Sequence, residues 1–332
     1  NRAGEGGKTV YRRIIKKAVE KQEGLYRQAQ AGDLSRVAYR PYTHEHWGCQ
    51  DAASQDRTRL ACYLLFGGAE DLLLAERLFE EELKDRQNNS FQGVGPCLEM
   101  LTALLARRNA DGRYDELFRQ AKNANFDCAC GYDPNQQAPE SLDQLALADC
   151  IGLAVLLDQP EETRQLTQIW KAGVRKWDDD SCRNLLRWNN YLGDRSDHER
   201  LLQQKLRNAR RAGSQMSRLS ASHDLMRFYV EEYQFVKAAE QLDQMCQDGL
   251  EEFRQGNLFR FVLEDCMDII LGGGKDAERL WQWSKPWILE QQTRLHGNLY
   301  KKAAQAAQKL GDPEAQPLEQ GYLAWRQKTR LE

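Results

Sequence analysis

The chain of 332 residues lacks three features that would have assigned it to a familiar class of protein. No apolar run approaches the roughly 18 residues that a membrane helix needs. Basic and acidic residues nearly balance, 47 against 50, so no net charge draws the whole chain to nucleic acid or to an anionic membrane. Runs of Val, Ile and Thr with the two-residue period of strands are also missing. Because 41% of the residues are hydrophobic, the composition excludes a disordered chain and predicts a folded protein outside the membrane.

The cysteines do not read as a disulfide framework. There are nine of them, an odd number, and most fall inside apolar helical patterns. Such usage is typical of reduced, buried thiols, so we expect a cytoplasmic protein. No charged-then-apolar signal segment is visible, although the chain begins at Asn1 and the removal of an N-terminal segment stays open.

Good helix formers, chiefly Leu, Ala, Gln, Glu, Lys and Arg, replace the missing strand patterns and predict an all-α fold. Turn-forming breaks recur between paired apolar segments at intervals of about 40 residues, the length of a helical hairpin. These breaks lie near Gly68, Gly112, Asp158, Gly193, Tyr233, Gly272 and Gly311. Such a period predicts a stack of hairpins, since one hairpin cannot bury its apolar side alone.

Three hairpins share a small residue followed four positions later by a bulky one: Ala75 with Phe79, Ala238 with Leu242, and Ala277 with Trp281. This seam resembles the second helix of tetratricopeptide (TPR) repeats, over roughly residues 55–330. The period is longer than the family's, and Leu117 and His198 stand where the family prefers alanine. The resemblance implies an α-solenoid of about seven antiparallel helical hairpins in a right-handed superhelix. Another type of α-solenoid is the alternative.

Two regions are expected to differ in role. Residues 1–54 carry a basic amphipathic helix and a long irregular loop, which we interpret as a cap, while residues 55–332 form the single elongated solenoid. In the segment WQWSKPW, Trp281 and Trp287 are predicted to be core residues, and Pro286 to open the next helix.

Polar side chains recur at helical spacing on the first helices of later hairpins. In TPR-like arrays the corresponding positions line a concave groove for an extended peptide, so the resemblance implies a peptide-binding surface here. Guanidinium groups match carboxylates bidentately, which favours an acidic peptide or a C-terminal carboxylate as partner. A solvated face with no ligand is the alternative. The predicted peptide-binding residues are Arg183, Arg187, Asn190, Tyr191, His223, Arg227 and Lys301.

Histidines and cysteines form two short clusters. The segment THEHWGC contains His44, His46 and Cys49, and the segment DCACGYDP contains Cys128 and Cys130. Imidazole and thiolate are the ligands that zinc prefers, although Cys-x-Cys is tighter than the usual spacing. The alternatives are a zinc site and loop residues that pin a hairpin by packing.

No arrangement of nucleophile, base and oxyanion donors stands out, so we predict a non-enzymatic scaffold or adaptor that binds a protein or peptide. A metal- or small-ligand-binding protein is the first alternative, and a sensor or immunity-type regulator is the second. Residues 1–50 hold ten basic and five acidic residues. We interpret their cluster of Arg12, Arg13, Lys16 and Lys17 as a small interaction tail, because the acidic remainder argues against nucleic acid as partner.

Overall fold

The computed structural model describes residues 2–44, 48–89, 93–135, 139, 141–274, 276–290 and 296–329. The chain divides into two compact units. The first comprises Asn1–Arg175 with Arg187–Gly193, and the second comprises Lys176–Leu186 with Asp194–Glu332. Residues 1–54, expected to form a cap, belong to the first unit.

Helices dominate the first unit, as the composition predicts. The elements are α1 (Arg2–Glu20), α2 (Glu23–Gln30), β1 (Pro41–His44), β2 (Gly48–Asp51), α3 (Ser54–Phe66), α4 (Leu72–Asn88), α5 (Pro96–Ala106), α6 (Asp115–Lys122), α7 (Phe126–Gly131), α8 (Leu147–Leu156) and α9 (Pro160–Gly173). The helix α1 packs against α8, α9 and α3, while α3 packs against α4 and α5.

Capping residues explain where several of these helices begin. Asp71 precedes α4 and accepts a hydrogen bond from the Leu74 backbone N–H at 3.0 Å. Pro96 and Pro160 occupy the first turns of α5 and α9, where a missing N–H costs nothing. Residues at the helix starts therefore determine where these helices begin.

The segment expected to be an irregular loop contains an antiparallel hairpin of β1 and β2. Pro41 lies opposite Asp51, and His44 lies opposite Gly48. Asp51 fixes the end of β2, because its Oδ1 accepts the backbone N–H groups of Arg40 and Ala53, both at 2.9 Å. The mostly helical fold is thus confirmed, and this short hairpin departs from it.

The second unit is built from successive helix pairs. It contains α11 (His198–Ala212), α12 (Gln215–Glu231), α13 (Phe235–Gln247), α14 (Asn257–Gly272), α15 (Ala277–Glu290), α16 (Gly297–Leu310) and α17 (Ala315–Thr329). The helix α12 contacts α14, which contacts α16, and these three pack against α13, α15 and α17 respectively. A continuous apolar core runs among them and includes Met226, Leu242, Phe259, Ile270 and Leu299.

A remaining helix, α10 (Asp179–Leu192), is divided between the two units.

The predicted breaks coincide with left-handed backbone. Gly68, Gly112, Gly193 and Gly311 have positive φ angles, and the break placed at Gly272 falls one residue later, at Gly273. The two breaks without glycine, Asp158 and Tyr233, also have positive φ, at 54° and 57°. Each of these turns lies between two consecutive helices, so these helix boundaries follow local backbone preference.

One prediction about helix boundaries was wrong. Pro286 lies inside α15 and does not open a new helix. The helix continues because its apolar side is held in the core: Trp281 is 2% exposed, and Trp287 meets the ring of Phe259 edge-on with 5.6 Å between centroids. Tertiary packing here outweighs the lost backbone hydrogen bond that proline causes.

Candidate functional site

The first four predicted peptide-binding residues lie along α10. Arg183, Arg187 and Asn190 are exposed, while Tyr191 is half-buried. Arg183 forms an ion pair of 3.2 Å with Asp180 on its own helix. The Tyr191 hydroxyl donates to Asp158 Oδ1 at 3.0 Å, and burial together with this carboxylate raises the pKa of Tyr191 to about 12. The Tyr191 hydroxyl therefore binds the α8–α9 turn, in addition to lying on the surface of α10.

His223 is an interior residue of the second unit. It is 7% exposed, and its Nε2 lies 2.8 Å from Oδ2 of Asp265, which is also 7% exposed. This contact joins α12 to α14. The structure places His223, predicted to line a binding groove, in the interior, because α12 is covered by α11, α13 and α14 and buries most of its circumference.

Arg227 and Lys301 are exposed, as predicted, on α12 and α16. Between these helices, α14 presents Phe261, whose ring is 39% exposed. We call the surface formed by the exposed stripes of α12, α14 and α16 the open face, represented by Arg227, Phe261, Lys301 and Gln305. Since α13 and α15 cover the other side of these helices, the exposed positions fall on the side that remains.

Ion pairs connect neighbouring helices of the second unit. Lys302 of α16 meets Asp268 of α14 at 2.7 Å, and Lys205 of α11 meets Asp224 of α12 at 2.7 Å. Among the residues described here, Arg227 has one ion pair, a loose one of 3.7 Å with Glu231 on its own helix. Its guanidinium therefore keeps most of its hydrogen-bonding capacity for a ligand.

The hairpin geometry separates the first group of predicted zinc ligands. Thr43 pairs with Cys49 and His44 with Gly48, so the side chains of His44 and Cys49 project from opposite faces of the two-stranded ribbon. The Cys49 Sγ instead lies 3.7 Å from the Tyr39 hydroxyl. His46 lies outside the described residues.

The second group of predicted ligands is separated as well. Cys128 is buried and Cys130 is exposed on the short helix α7, where residues two apart point about 200° from each other. Burial raises the pKa of the Cys128 thiol, which disfavours the thiolate that a metal needs. Among the residues that the structure describes, no three His, Cys, Asp or Glu side chains converge as a metal site would require.

The interior of the first unit contains an ionic network whose residues are not among the predicted site residues. Arg57 of α3 donates through Nε to Glu82 Oε2 at 2.7 Å and through Nη2 to Asp51 Oδ2 at 2.6 Å. Arg86 donates to the other Glu82 oxygen at 2.5 Å. The side chains of Arg57, Asp51 and Glu82 are fully buried, so the network fastens the hairpin to α3 and α4.

Asp85 is the exceptional member of this interior. Its side chain exposes no surface, and neither of its carboxylate oxygens has a hydrogen-bond partner among the residues that the structure describes. Only a long contact of 3.9 Å joins it to Arg86. Burial raises the pKa of Asp85 to about 6, against the opposing effect of Arg86.

The sequence contains one indication of the network. Glu82 continues the spacing of Ala75 and Phe79 on α4 and therefore falls on the buried side of that helix.

Comparison with known proteins gives no family for the chain: no family model, no curated protein and no solved structure matches it. In the described part of the chain, no helix is both long and apolar enough to cross a bilayer.

Proposed function

We propose that the chain is a non-enzymatic helical-repeat protein, a TPR-like α-solenoid, whose open face binds a segment of a protein partner. The observation that carries this proposal is the packing order in the second unit. The helices α12, α14 and α16 touch in sequence, and each has its own partner helix behind it. Arrays of this kind use the surface of their first helices as an extended binding site.

The chemistry of the open face supports an acidic or C-terminal segment as the ligand. Arg227 and Lys301 offer cationic donors at its two sides, and the Gln305 amide adds a neutral donor. Phe261 is a large apolar side chain that remains exposed beside them. Aromatic and arginine side chains carry a large share of binding energy in protein interfaces, so these are the expected anchors.

Site-specific photo-crosslinking in native lysate tests the assignment. A benzophenone amino acid replaces Phe261 in one variant and Val236 in another, because Val236 is 50% exposed on α13 and lies off the open face. We expect a discrete adduct from position 261 and none from position 236. Adding Arg227→Glu and Lys301→Glu to the first variant should reduce the adduct about tenfold or more, since it removes both cationic donors.

Circular dichroism and the melting temperature should stay unchanged, because both side chains are exposed. Equal adducts from positions 261 and 236, or an adduct that persists after both charge reversals, would contradict the assignment of the open face.

A further inference from the structure

A groove in the first unit has a basic rim and an apolar floor. Its volume is about 580 Å³, within the range of binding pockets. The floor includes Leu65 of α3, Phe66 at the end of that helix and Leu104 of α5. The cations on the rim are Arg12, Arg13 and Lys16 of α1, with Arg107 directly after α5. We call this site the basic groove.

The fold holds these cations in place. Tyr11, Ile15, Ala18 and Val19 turn the apolar side of α1 into the core, where the helix packs on α8 and α9. The opposite side of the same helix then carries the cations toward the groove. Three members of the basic cluster, Arg12, Arg13 and Lys16, therefore line the groove from a packed helix.

The carboxylates of the groove are already engaged. Asp143 pairs with Arg12, whose Nη2 also donates to the Asp143 carbonyl oxygen at 2.7 Å. Glu70 is held by Arg108, which lies outside the groove lining, at 2.9 Å. Each of these two acids is consequently paired with a cation before any ligand arrives.

Three rim cations remain available. Within the described part of the chain, no carboxylate lies within ion-pair distance of Arg13 or Arg107, and Lys16 has only Glu20 at 3.8 Å. Arg107 is oriented by its bond to the Pro139 carbonyl oxygen at 2.8 Å, and this contact is with a neutral acceptor. The site thus combines an excess of positive charge with apolar surface.

We infer that the basic groove binds an acidic peptide segment. An apolar side chain, flanked by carboxylates in the peptide, inserts into the groove and packs on its floor. Charge complementarity selects the acids, because guanidinium groups bind carboxylates bidentately. The apolar floor selects against a bare polyanion, which has nothing to bury against Phe66 and Leu104. This site lies wholly in the first unit, goes beyond the proposed function of the open face and does not depend on it.

Peptide display on the full chain tests the inference. A random library of twelve-residue peptides is selected on the wild-type protein, and the enriched peptides are synthesised for fluorescence anisotropy. We expect enrichment of Asp and Glu around a Leu, Ile or aromatic residue, and affinities that weaken as salt is raised. The combined substitution of Arg13, Lys16 and Arg107 to Glu should weaken binding about tenfold or more.

The matched control places the same charge change elsewhere, with Lys17→Glu, Arg210→Glu and Arg211→Glu, all at exposed positions outside the groove lining. It should change the affinity by less than about twofold, since none of these three residues lines the groove and exposed charges are screened by salt. Arg227→Glu on the open face should also have no effect, which separates failure of this inference from failure of the proposed function.

Several outcomes would overturn the inference. These are no enrichment, enriched peptides without acidic residues, and peptides that bind the groove variant as tightly as the wild type. Tighter binding of single-stranded DNA or of vesicles with phosphatidylserine, lost in the groove variant, would replace a peptide by a different class of ligand.

Discussion

The two units of the chain fill their interiors with different chemistry. The first unit buries Arg57, Glu82 and Asp85 among its helices. The second unit is held by an apolar core in which the buried ionisable contact of Asp265 is with a histidine, His223. Charges are costly to remove from water, so the stability of the first unit depends on how far its buried charges are paired, whereas that of the second depends on packing.

The difference follows from what each interior has to join. In the first unit α3 and α4 must also hold a two-stranded hairpin, whose backbone groups end in the interior near Asp51. Arg57 reaches the hairpin, the Val37 carbonyl oxygen and Glu82 at once, which apolar side chains cannot do. In the second unit helices pack only on helices, and interdigitated apolar side chains suffice.

Removing one member of the charged interior gives the largest effect that we expect. Arg57→Ala leaves Asp51 and Glu82 buried without their shared cation, and a buried pair broken in this way costs about 3–5 kcal/mol. Urea unfolding measures the loss, and hydrogen exchange locates it in α3, α4 and the hairpin. The control Arg36→Ala breaks a half-exposed pair with Asp56 and should cost less than about 1 kcal/mol. Equal losses for the two variants would show that the network contributes no more than a surface pair.

Asp85 makes the stability of the first unit depend on pH. Its pKa is raised to about 6 in the folded state, above the value of about 3.9 for an unfolded chain. Folding therefore favours the protonated form, and its contribution to stability is complete below pH 4 and lost as the pH rises through 6. Asp85→Asn stays neutral at every pH. Its free energy of unfolding, relative to wild type, should therefore rise by on the order of 2–3 kcal/mol as the pH increases from about 4 to about 8.

Denaturant unfolding at a series of pH values measures this gain, together with hydrogen exchange of α4. Glu80→Gln is the matched control, because Glu80 is an exposed carboxylate on the same helix. The control should run parallel to wild type. A parallel curve for Asp85→Asn as well would mean that Asp85 is ionised in the folded protein without cost.

Much of the helical framework was predictable because its signals are local. Glycine, and at Asp158 and Tyr233 a residue forced into left-handed backbone, marked the turns between helix pairs. The hairpin was not predictable, because what stabilises it is a contact between Asp51 and Arg57 in the interior. Pro286 misled for a related reason: the helix through it is maintained by the core around Trp281.

The candidate sites show the same limit. Helical spacing placed Arg227 and Lys301 correctly on the surface but treated His223 in the same way. A period reports which residues share a side of a helix and is silent on how many sides are covered, and α12 is covered by three neighbours. The basic groove was missed because it combines α1 with Leu104 and Arg107, about 90 residues later in the chain.

The His223–Asp265 contact tests the same comparison in the second unit, and its disruption has the smallest effect on stability that we expect. A double-mutant cycle of His223→Ala and Asp265→Ala should give a coupling free energy of about 1–2 kcal/mol, because the two side chains satisfy each other in the core. The reference cycle uses Lys302 and Asp268, which are each about one quarter exposed, and should give less than about 1 kcal/mol. A coupling for His223 and Asp265 no larger than this reference would leave packing alone as the source of stability in the second unit. A coupling as large as the loss of about 3–5 kcal/mol expected for Arg57→Ala would erase the distinction between the two interiors.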